Sequence, residues 1–366
     1  MNYRQALQYL YSIDQIKLGL SRMKKLLKQL GNPEQGLQYI HVAGTDGKGS
    51  ACAMLESILL HAGYSVGKYI SPHLKDFTER ITINKREISR KDVVRLLQKI
   101  IPLQNDATYF EIVTAMAFLY FQEKKPDIVI LEVGLGGRLD ATNVVTPLVS
   151  VITNISLEHT EYLGNTIKKI AREKAGIIKQ QVPIVTANRG EALAVIHSIA
   201  KKRKASYIAV RKKYQGKIGL RGAFQKENAA LAYAVAKVLK KKYHFSLTES
   251  QIKAGIAQAK WPGRMDLRGN VLFDCAHTEA GFKALSKELN KLQYRKLILV
   301  LSLLSDKRIH AMLPQLIPFT DAVIVTKSKN ERAGEPKEIA SIIQRKFKKP
   351  VKMFHSSKKA LQYAKT

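Results

Sequence analysis

A glycine-rich turn between an apolar run and a helical pattern is the feature that most constrains this chain. The turn reads HVAGTDGKGS at residues 41–50 and overlaps the end of the apolar run at 39–43. Apolar residues then recur at helical spacing, and they are Ala51, Met54, Leu55, Ile58 and Leu59. A strand, a glycine-rich turn and a helix N-terminus together cradle phosphate, because backbone N–H groups and the helix dipole both attract an anion. The sequence therefore predicts a nucleoside triphosphate site.

Lys48 is the residue of this turn that can neutralise the β and γ phosphates. The turn differs from the regular P-loop, because Gly49 separates the lysine from Ser50. A plain tight turn before a helix is the alternative interpretation. Three glycines, a lysine and a hydroxyl between one strand and one helix argue against it.

Composition narrows the class of protein. The length of 366 residues suits two domains, and a hydrophobic content of 45% is that of a globular protein. Lys and Arg outnumber Asp and Glu, 62 to 29, for a formal net charge of +33. The lysines are dispersed and the sequence has no zinc-finger spacing or RNP motif, so we expect attraction of anionic substrates without a specific nucleic-acid site.

Cellular location is predicted from three further features of the sequence. The two cysteines, Cys52 and Cys275, lie far apart, which is typical of reduced thiols in a cytoplasmic protein. No segment is apolar enough to span a membrane, and the N-terminus has no secretory pattern. We therefore expect a cytoplasmic protein without a membrane partner.

Strands alternate with helices along the whole chain, which predicts parallel sheets in two α/β domains. An amphipathic helix is predicted over residues 14–30, and a strand buried on both faces over 127–131. The stretch WPGR at 261–264 indicates a hinge. We predict domains at 1–262 and 263–366, the second one short at its C-terminal end.

Polar residues follow the predicted strands, where parallel α/β sheets bind their ligands. Glu132 ends the strand at 127–131 and is followed by VGLGGRLD. A carboxylate at this place is suited to hold Mg²⁺ against phosphates. His159 and Lys174 are further candidates, although by themselves they would be interpreted as a core histidine and a solvent-exposed helix residue.

Together these stretches resemble the folylpolyglutamate synthase/dihydrofolate synthase family of the Mur ligase superfamily. The similar motifs run in the family's order over almost the whole chain: YISPHLKDFTERITI at 69–83, LEVGLGGRLDATNVV at 131–145, IAREKAGIIK at 170–179, and the stretches 41–50, 110–118, 152–164, 224–232, 261–266 and 273–277. The resemblance implies a P-loop-containing, Mur-ligase-like central domain with a parallel-sheet core and a smaller Rossmann-like C-terminal domain. It also implies an ATP-dependent ligase that adds L-glutamate to a folate or dihydropteroate carboxylate through an acyl phosphate.

The resemblance further implies roles for residues in both domains. ATP would contact Gly44, Thr45, Asp46, Gly47, Lys48, Gly49, Ser50, Asn228, Arg264 and Asp274. Two Mg²⁺ ions would be held by Ser71, Glu132, His159 and Lys174, the last as a carbamate. The pterin pocket would be lined by Ile16, Lys17, Leu18, Thr108, Tyr109, Phe110, Glu111, Leu139, Asp140 and Ala141. The catalytic residues would be Lys48, Lys174, His159 and His277.

For Lys174 the resemblance agrees with a physical argument. The residue lies on a predicted helix over 166–178, four residues after Ile170 and three before Ile177, so it should lean toward the same buried side. A buried ammonium near Mg²⁺ is disfavoured by desolvation and by like charge, and the same forces lower its pKa and expose a neutral amine to CO₂. The alternative is a lysine that extends to solvent unmodified.

Some positions depart from the family pattern. Asp46 stands where the family usually has Asn, Glu158 replaces the usual Asp, and Thr278-Glu279 replaces Asn-Pro. A carboxylate beside phosphates repels them unless it is neutralised or binds metal. Three interpretations stay open: a folate ligase of either synthase type or both, a Mur-type ligase for another acid, and a basic binding protein without catalysis. We expect a monomer.

Overall fold

The computed structural model describes residues 1–13, 15–305, 309–328 and 333–365. The chain forms two compact units, Met1–Gly263 and Arg264–Thr366. The boundary between them falls inside the predicted hinge, one residue beyond the predicted division. Within the described ranges, no helix is both long and apolar enough to cross a membrane.

The first unit is built from helices and strands in alternation. Its helices are α1 (Tyr3–Tyr11), α2 (Ser21–Gln29), α3 (Lys48–His61), α4 (Arg90–Ile100), α5 (Tyr109–Lys124), α6 (Thr160–Leu163), α7 (Ile167–Lys174), α8 (Gly190–Lys202), α9 (Gln225–Tyr243) and α10 (Glu249–Gln258). Its strands are β1 (Tyr39–Ala43), β2 (Val66–Tyr69), β3 (Ile81–Ile83), β4 (Arg86–Glu87), β5 (Ile128–Glu132), β6 (Val149–Ile152), β7 (Ile184–Thr186) and β8 (Tyr207–Ala209). Short 3₁₀ helices occupy Phe77–Arg80, Ile101–Leu103, Ala141–Val144 and Ala175–Ile177.

The strands of the first unit form one eight-stranded sheet in the order β4-β3-β2-β5-β1-β6-β7-β8. Strands β2, β5, β1, β6, β7 and β8 are parallel, whereas β3 and β4 pair antiparallel at one edge. The prediction of a parallel sheet is therefore confirmed for the centre and wrong for this edge. Val42 pairs with Glu132 and Ala43 with Ile152, so the carboxyl ends of three central strands lie side by side.

Helices cover both faces of this sheet, which is why its central strands are apolar without alternation. Every residue of β1 and β5 is buried. Helices α3, α9 and α10 share one core cluster with the sheet, and α1, α2, α4 and α5 share another. The predicted apolar face of α3 is confirmed, although the helix is in fact buried on all sides from Ser50 to Leu59.

The helix predicted over residues 14–30 is wrong in its first part, since α2 begins only at Ser21. Asp14 lies outside the described residues. The backbone N–H of Gly19, whose φ is +146°, donates to the Leu139 carbonyl at 3.4 Å. The Arg22 guanidinium donates to the Lys17 carbonyl at 2.7 Å. These contacts with distant and neighbouring backbone hold the segment in a non-helical path.

The second unit carries a three-stranded parallel sheet, β11 (Ile298–Leu301), β12 (Ala322–Thr326) and β13 (Val351–Phe354), in that order. An antiparallel pair, β9 (Asp266–Arg268) and β10 (Val271–Phe273), precedes it, so the prediction of parallel strands fails there. Its helices are α11 (Glu279–Leu289), α12 (Ile309–Leu316), α13 (Pro336–Phe347) and α14 (Ser357–Ala364). Strand, helix, strand order with a parallel sheet is what a Rossmann-like unit requires.

Candidate active site

Two positions of the glycine-rich turn after β1 accommodate only glycine. Gly44 has φ +149°, and a Cβ there would lie 1.8 Å from Thr153 Oγ1. Gly47 has φ +87° at the N-cap of α3, and its Cβ would lie 2.5 Å from Asn228 Oδ1. The turn is thus closely packed against Thr153 and Asn228. Because glycine has no side chain, the backbone of the turn can also come close to a ligand at the helix N-terminus.

The segment after β6 anchors this turn. The backbone N–H of Thr45 donates to the Asn154 carbonyl at 2.8 Å, and that of Asp46 donates to Asn154 Oδ1 at 2.9 Å. Thr153 Oγ1 donates to the Asp46 carbonyl at 2.8 Å. Thr153 and Asn154 are therefore positioning residues of the turn, a role that the sequence did not identify for them.

Two lysine ammonium groups converge on one carbonyl oxygen of the turn. Lys48 Nζ donates to the Gly44 carbonyl at 3.1 Å and to the Thr45 carbonyl at 3.0 Å. Lys174 Nζ donates to the same Gly44 oxygen at 2.8 Å, although the two residues are far apart in sequence. The structure thus brings together two of the predicted catalytic residues.

Lys174 is held in an environment that disfavours its charge. The residue is 3% exposed, so its predicted burial is confirmed, and its helix α7 ends at Lys174 itself before a 3₁₀ turn. Burial, followed by the positive charge of Lys48, lowers the pKa of Lys174 to about 7. Glu158, Asp46 and Asp140 act in the opposite direction. A substantial fraction of this amine is therefore neutral near pH 7.

Glu132 and Ser71 lie together at the ends of neighbouring strands. Glu132 is buried at the end of β5, and the backbone N–H of Ser71 lies 3.4 Å from Glu132 Oε2. A carboxylate and a hydroxyl are oxygen ligands of the kind that Mg²⁺ prefers. Across the described ranges, no three His, Cys, Asp or Glu side chains come together as a metal cluster.

His159 occupies a left-handed backbone position, with φ +49°, at the N-cap of α6. Its Nε2 lies 3.6 Å from Glu158 Oε1 and its Nδ1 lies 4.0 Å from Glu161 Oε1. Two carboxylates thus lie within 4.0 Å of the imidazole, and one of them, Glu158, also raises the pKa of Lys174. The Glu158 carboxylate therefore lies near both predicted metal ligands, His159 and Lys174.

A buried polar chain lies beneath the first turn of α3. Gln225 Nε2 donates to Ser50 Oγ at 3.2 Å, and Asn228 Nδ2 donates to Gln225 Oε1 at 2.9 Å. Asn228, predicted to contact ATP, packs against the turn at Gly47. Gln225 is fully buried and was not predicted, although its place three residues before Asn228 on a helix was the available signal.

Arg22 joins two of the three segments predicted to line a pterin pocket. Arg22 Nε lies 3.2 Å from Glu111 Oε2, and its Nη2 contacts the Lys17 carbonyl. The Gly19–Leu139 hydrogen bond brings residues 16–18 beside 139–141. Arg22 is a residue that the sequence did not single out.

Aromatic rings and one arginine line the same region. Tyr11 stacks on Tyr109 at a centroid distance of 5.9 Å, and the Arg80 guanidinium lies 5.5 Å from the Tyr109 ring. Phe110 lies 5.9 Å from the ring of Tyr69. A flat heteroaromatic ligand can stack on such rings.

Asp140, predicted to line the pterin pocket, braces the turn after β5. Its Oδ2 accepts hydrogen bonds from the backbone N–H groups of Gly134, at 3.1 Å, and Leu135, at 2.8 Å. Its Oδ1 accepts from the backbone N–H and the hydroxyl of Thr142, at 3.0 and 2.5 Å. Thr142 Oγ1 also lies 2.8 Å from His41 Nε2 in β1, and burial lowers the pKa of His41 to about 3. These hydrogen bonds, made through a neutral His41, tie β1 to the turn after β5.

The predicted residues of the second unit form a turn of their own. Asp274 Oδ2 accepts from the backbone N–H of Met265 at 2.8 Å, and its Oδ1 accepts from that of Ala276 at 2.8 Å. His277 Nδ1 lies 2.9 Å from the Cys275 carbonyl. Arg264 lowers the pKa of the Cys275 thiol against the larger effect of burial, so its guanidinium lies near this turn.

Family models match both units of the chain. The Mur ligase middle domain matches residues 42–213, and the Mur ligase glutamate ligase domain matches residues 263–366. The dihydrofolate synthase/folylpolyglutamate synthase of Bacillus subtilis is 38% identical over 362 residues, which cover 88% of this chain and 84% of that protein. The dihydrofolate synthetase of Saccharomyces cerevisiae is 34% identical, with 90% of this chain and 87% of that protein covered.

Solved structures of relatives are similar to this chain over nearly its full length. Folylpolyglutamate synthase of Mycobacterium tuberculosis, complexed with ADP, gives a TM-score of 0.90 at 32% identity and covers 99% of this chain and 90% of its own. Escherichia coli FolC, in complex with DHPP and ADP, gives a TM-score of 0.90 at 30% identity and covers 100% and 92% of the two chains.

Proposed function

The chain belongs to the folylpolyglutamate synthase/dihydrofolate synthase family of the Mur ligases, and from this premise we propose how its residues act. It is an ATP-dependent ligase that joins glutamate to a folate. In the proposed reaction a folate or dihydropteroate carboxylate attacks the γ-phosphorus of ATP and ADP departs. The glutamate amine then attacks the acyl phosphate, loses a proton and displaces phosphate.

The glycine-rich turn and Lys48 are proposed to hold the triphosphate. The first step brings two anions together, so groups that offset negative charge must already be in place. Backbone N–H groups at the start of α3 and the Lys48 ammonium are such groups, and Thr153, Asn154 and Asn228 keep the turn in place. The observation that carries this proposal is the convergence of Lys48 and Lys174 on the Gly44 carbonyl.

Ser71 and Glu132 are proposed to hold one Mg²⁺, and His159 with carbamylated Lys174 a second. Bound Mg²⁺ supplies charge neutralisation between phosphate oxygens and the attacking carboxylate. The oxygen donors of Ser71 and Glu132 fit this ion, which commonly takes one or two carboxylates and completes its shell with phosphate. Carbamylation would supply a further anionic oxygen from Lys174.

The pterin is proposed to lie against Tyr109 and Tyr11, in the region lined by residues 16–18, 108–111 and 139–141. The stacked rings and Arg80 support this placement. Arg264, Asp274 and His277 stay predictions for contacts with ATP and for catalysis.

An assay of ADP release tests the function and separates the two synthase activities. With ATP and glutamate present, we expect ADP release that depends on added dihydropteroate, on added tetrahydrofolate, or on both. The same mixture without glutamate is the control, because the acyl phosphate then has no amine acceptor. Release that needs neither folate substrate would contradict the proposal.

The net charge of +33 is proposed to act through long-range attraction of anionic substrates. We expect duplex DNA and RNA to bind weakly, with affinity that falls steeply as salt rises and without sequence preference. Titration of labelled duplexes at low and physiological salt measures this. Sequence-specific nanomolar binding at physiological salt would contradict it. That the chain acts as a monomer stays a prediction.

A further inference from the structure

Trp261, the single tryptophan of the chain, packs directly on the first turn of α3. A Cβ on Gly49 would lie 2.8 Å from Trp261 Nε1 and 3.0 Å from its Cε2 and Cζ2. Gly49 is the second residue of α3 and stands between Lys48 and Ser50. The edge of the indole therefore lies against the backbone of the predicted phosphate-binding residues.

A buried ion pair supports the indole from the side. Lys68 Nζ lies 5.0 Å from the centroid of the Trp261 ring and 2.5 Å from Glu56 Oε2. The side chains of Lys68 and Glu56 are only 6% and 2% exposed. Glu56 lies seven residues after Gly49 in α3, which places both on one face of the helix. The ring is thus held between the helix and a desolvated cation, where a cation–π contact is strongest.

This pair lies close to the charges that the proposed reaction uses. Burial raises the pKa of the Cys52 thiol, and the charges that act on it are those of Glu132, Lys68, Lys48 and Glu56. Cys52 is in the second turn of α3, so all four charged groups lie within electrostatic range of this part of the helix. The buried pair is therefore a neighbour of the phosphate and metal residues.

We propose that Trp261, held by Lys68 and Glu56, is a positioning residue that keeps the first turn of α3 in its phosphate-binding conformation. This inference rests on the proposed nucleotide site at that turn. Glycine loses more conformational freedom on ordering than any other residue, and Gly49 is ordered here by the indole. With the turn ordered before ATP arrives, binding does not bear that cost. Loss of the ring therefore weakens ATP binding more than it slows the chemical steps.

Because the chain has one tryptophan, its emission reports this contact directly. Titration of the full-length protein with ADP and Mg²⁺ is expected to change the Trp261 emission in a saturable way, with the same dissociation constant that calorimetry gives. Calorimetric binding without any change in emission would overturn the inference. If neither the emission nor the calorimetry shows binding, the proposed nucleotide site is wrong. Calorimetry thus separates a failure of the proposed function from a failure of this inference.

Steady-state kinetics of variants test the positioning role. Trp261→Leu is expected to raise the KM for ATP about tenfold with kcat within about twofold, and Trp261→Phe to recover most of the loss because a ring remains over Gly49. An unchanged KM in Trp261→Leu would overturn the role. The emission titration uses the parent protein, so it decides the question even if this variant does not fold.

A pair of variants, each lacking one lysine, tests whether Lys68 supports the Trp261 ring. Glu56→Gln/Lys68→Met removes the cation without leaving a buried lone carboxylate, and it is expected to raise the KM for ATP as Trp261→Leu does. Lys237→Met is the control, since Lys237 also pairs with a glutamate, Glu249 at 3.3 Å, and lies 5.9 Å from the Tyr233 ring, but on the exposed surface. Equal KM values in the two variants would exclude Lys68 from the support.

Discussion

Lys174→Ala is expected to lower the rate of glutamate ligation by roughly a hundredfold to a thousandfold while the protein stays folded. The side chain is buried and ends at the Gly44 carbonyl, 2.8 Å away, beside the Lys48 ammonium on the same oxygen. Its removal takes away a group at the proposed phosphate site and leaves the sheet and its cores intact. Steady-state ADP release measures the rate, and circular dichroism with thermal unfolding verifies the fold.

The expected loss follows from the proposed carbamylation of Lys174. The ammonium first loses one proton. The neutral amine then attacks CO₂, a C–N bond forms and a second proton is released, so that a buried cation becomes an anion. Burial and Lys48 lower the pKa of Lys174 to about 7, so the reactive neutral amine is populated near that pH. We expect activity to fall as the pH drops below about 7, because the ammonium cannot react.

The same pKa sets a pH dependence of stability for the unmodified protein. In the unfolded chain this lysine keeps its proton up to a pKa of 10.5, whereas in the folded chain it loses it near 7. Between these values the unfolded state binds more protons, so the free energy of unfolding rises as the pH rises through that window. The proposed carbamylation would remove this pH dependence. Unfolding experiments at several pH values, with and without bicarbonate, measure the difference.

Rescue and a matched control complete the Lys174 test. A short-chain carboxylic acid is expected to restore part of the activity of Lys174→Ala, because it supplies the missing anionic oxygens. Lys179→Ala is the control, since burial also lowers the pKa of Lys179, to about 8, but its Nζ binds the Asn143 carbonyl at 2.9 Å. Full activity of Lys174→Ala, or of the parent protein depleted of CO₂ and bicarbonate, would remove the carbamate from the mechanism.

Lys48→Ala is expected to abolish the thermal stabilisation of the protein by ATP. Lys48 is the first residue of α3, and its ammonium lies over the turn at the Gly44 and Thr45 carbonyls. A ligand present at a hundred times its dissociation constant stabilises a protein by about 2.7 kcal/mol, and the variant should lose this gain. Unfolding temperatures with and without ATP and Mg²⁺ measure it.

Lys91→Ala is a suitable control for this experiment. Lys91 lies in the first turn of another helix, α4, and is exposed, so its removal changes the net charge equally without touching the glycine-rich turn. We expect it to keep the full stabilisation by ATP. If Lys48→Ala binds ATP as tightly as the parent, the nucleotide site has been assigned to the wrong turn.

The hydrophobic pattern of the sequence predicted correctly those strands and helices whose surroundings are the same along their whole length. Strand β5 had to be an unbroken apolar run because helices cover both of its faces, and it was predicted to within a residue. The helix over 14–30 failed because periodicity cannot see that Gly19 donates to the Leu139 carbonyl across the fold. Its second half, α2, is amphipathic as predicted, and Met23, Leu26 and Leu27 form its buried face.

The site residues divide in the same way. Lys48 and Glu132 were predicted from the strand–turn–helix pattern and from a strand end, both of which are local. Gln225 was missed because its partner, Ser50, is 175 residues away. No role in the site was predicted for Trp261, which was interpreted as part of a hinge. The sequence next to Trp261 or Gly49 contains no pattern that indicates their contact.

The wide separation of these supports has a consequence for biosynthesis. The turn after β1 is completed by Asn154, Lys174 and Asn228, which leave the ribosome long after it. A nascent chain that ends before α9 has all eight strands of its sheet, together with Asn154 and Lys174, but lacks Asn228. We therefore expect nucleotide to stabilise the growing polypeptide fully only when synthesis of the first unit is nearly finished.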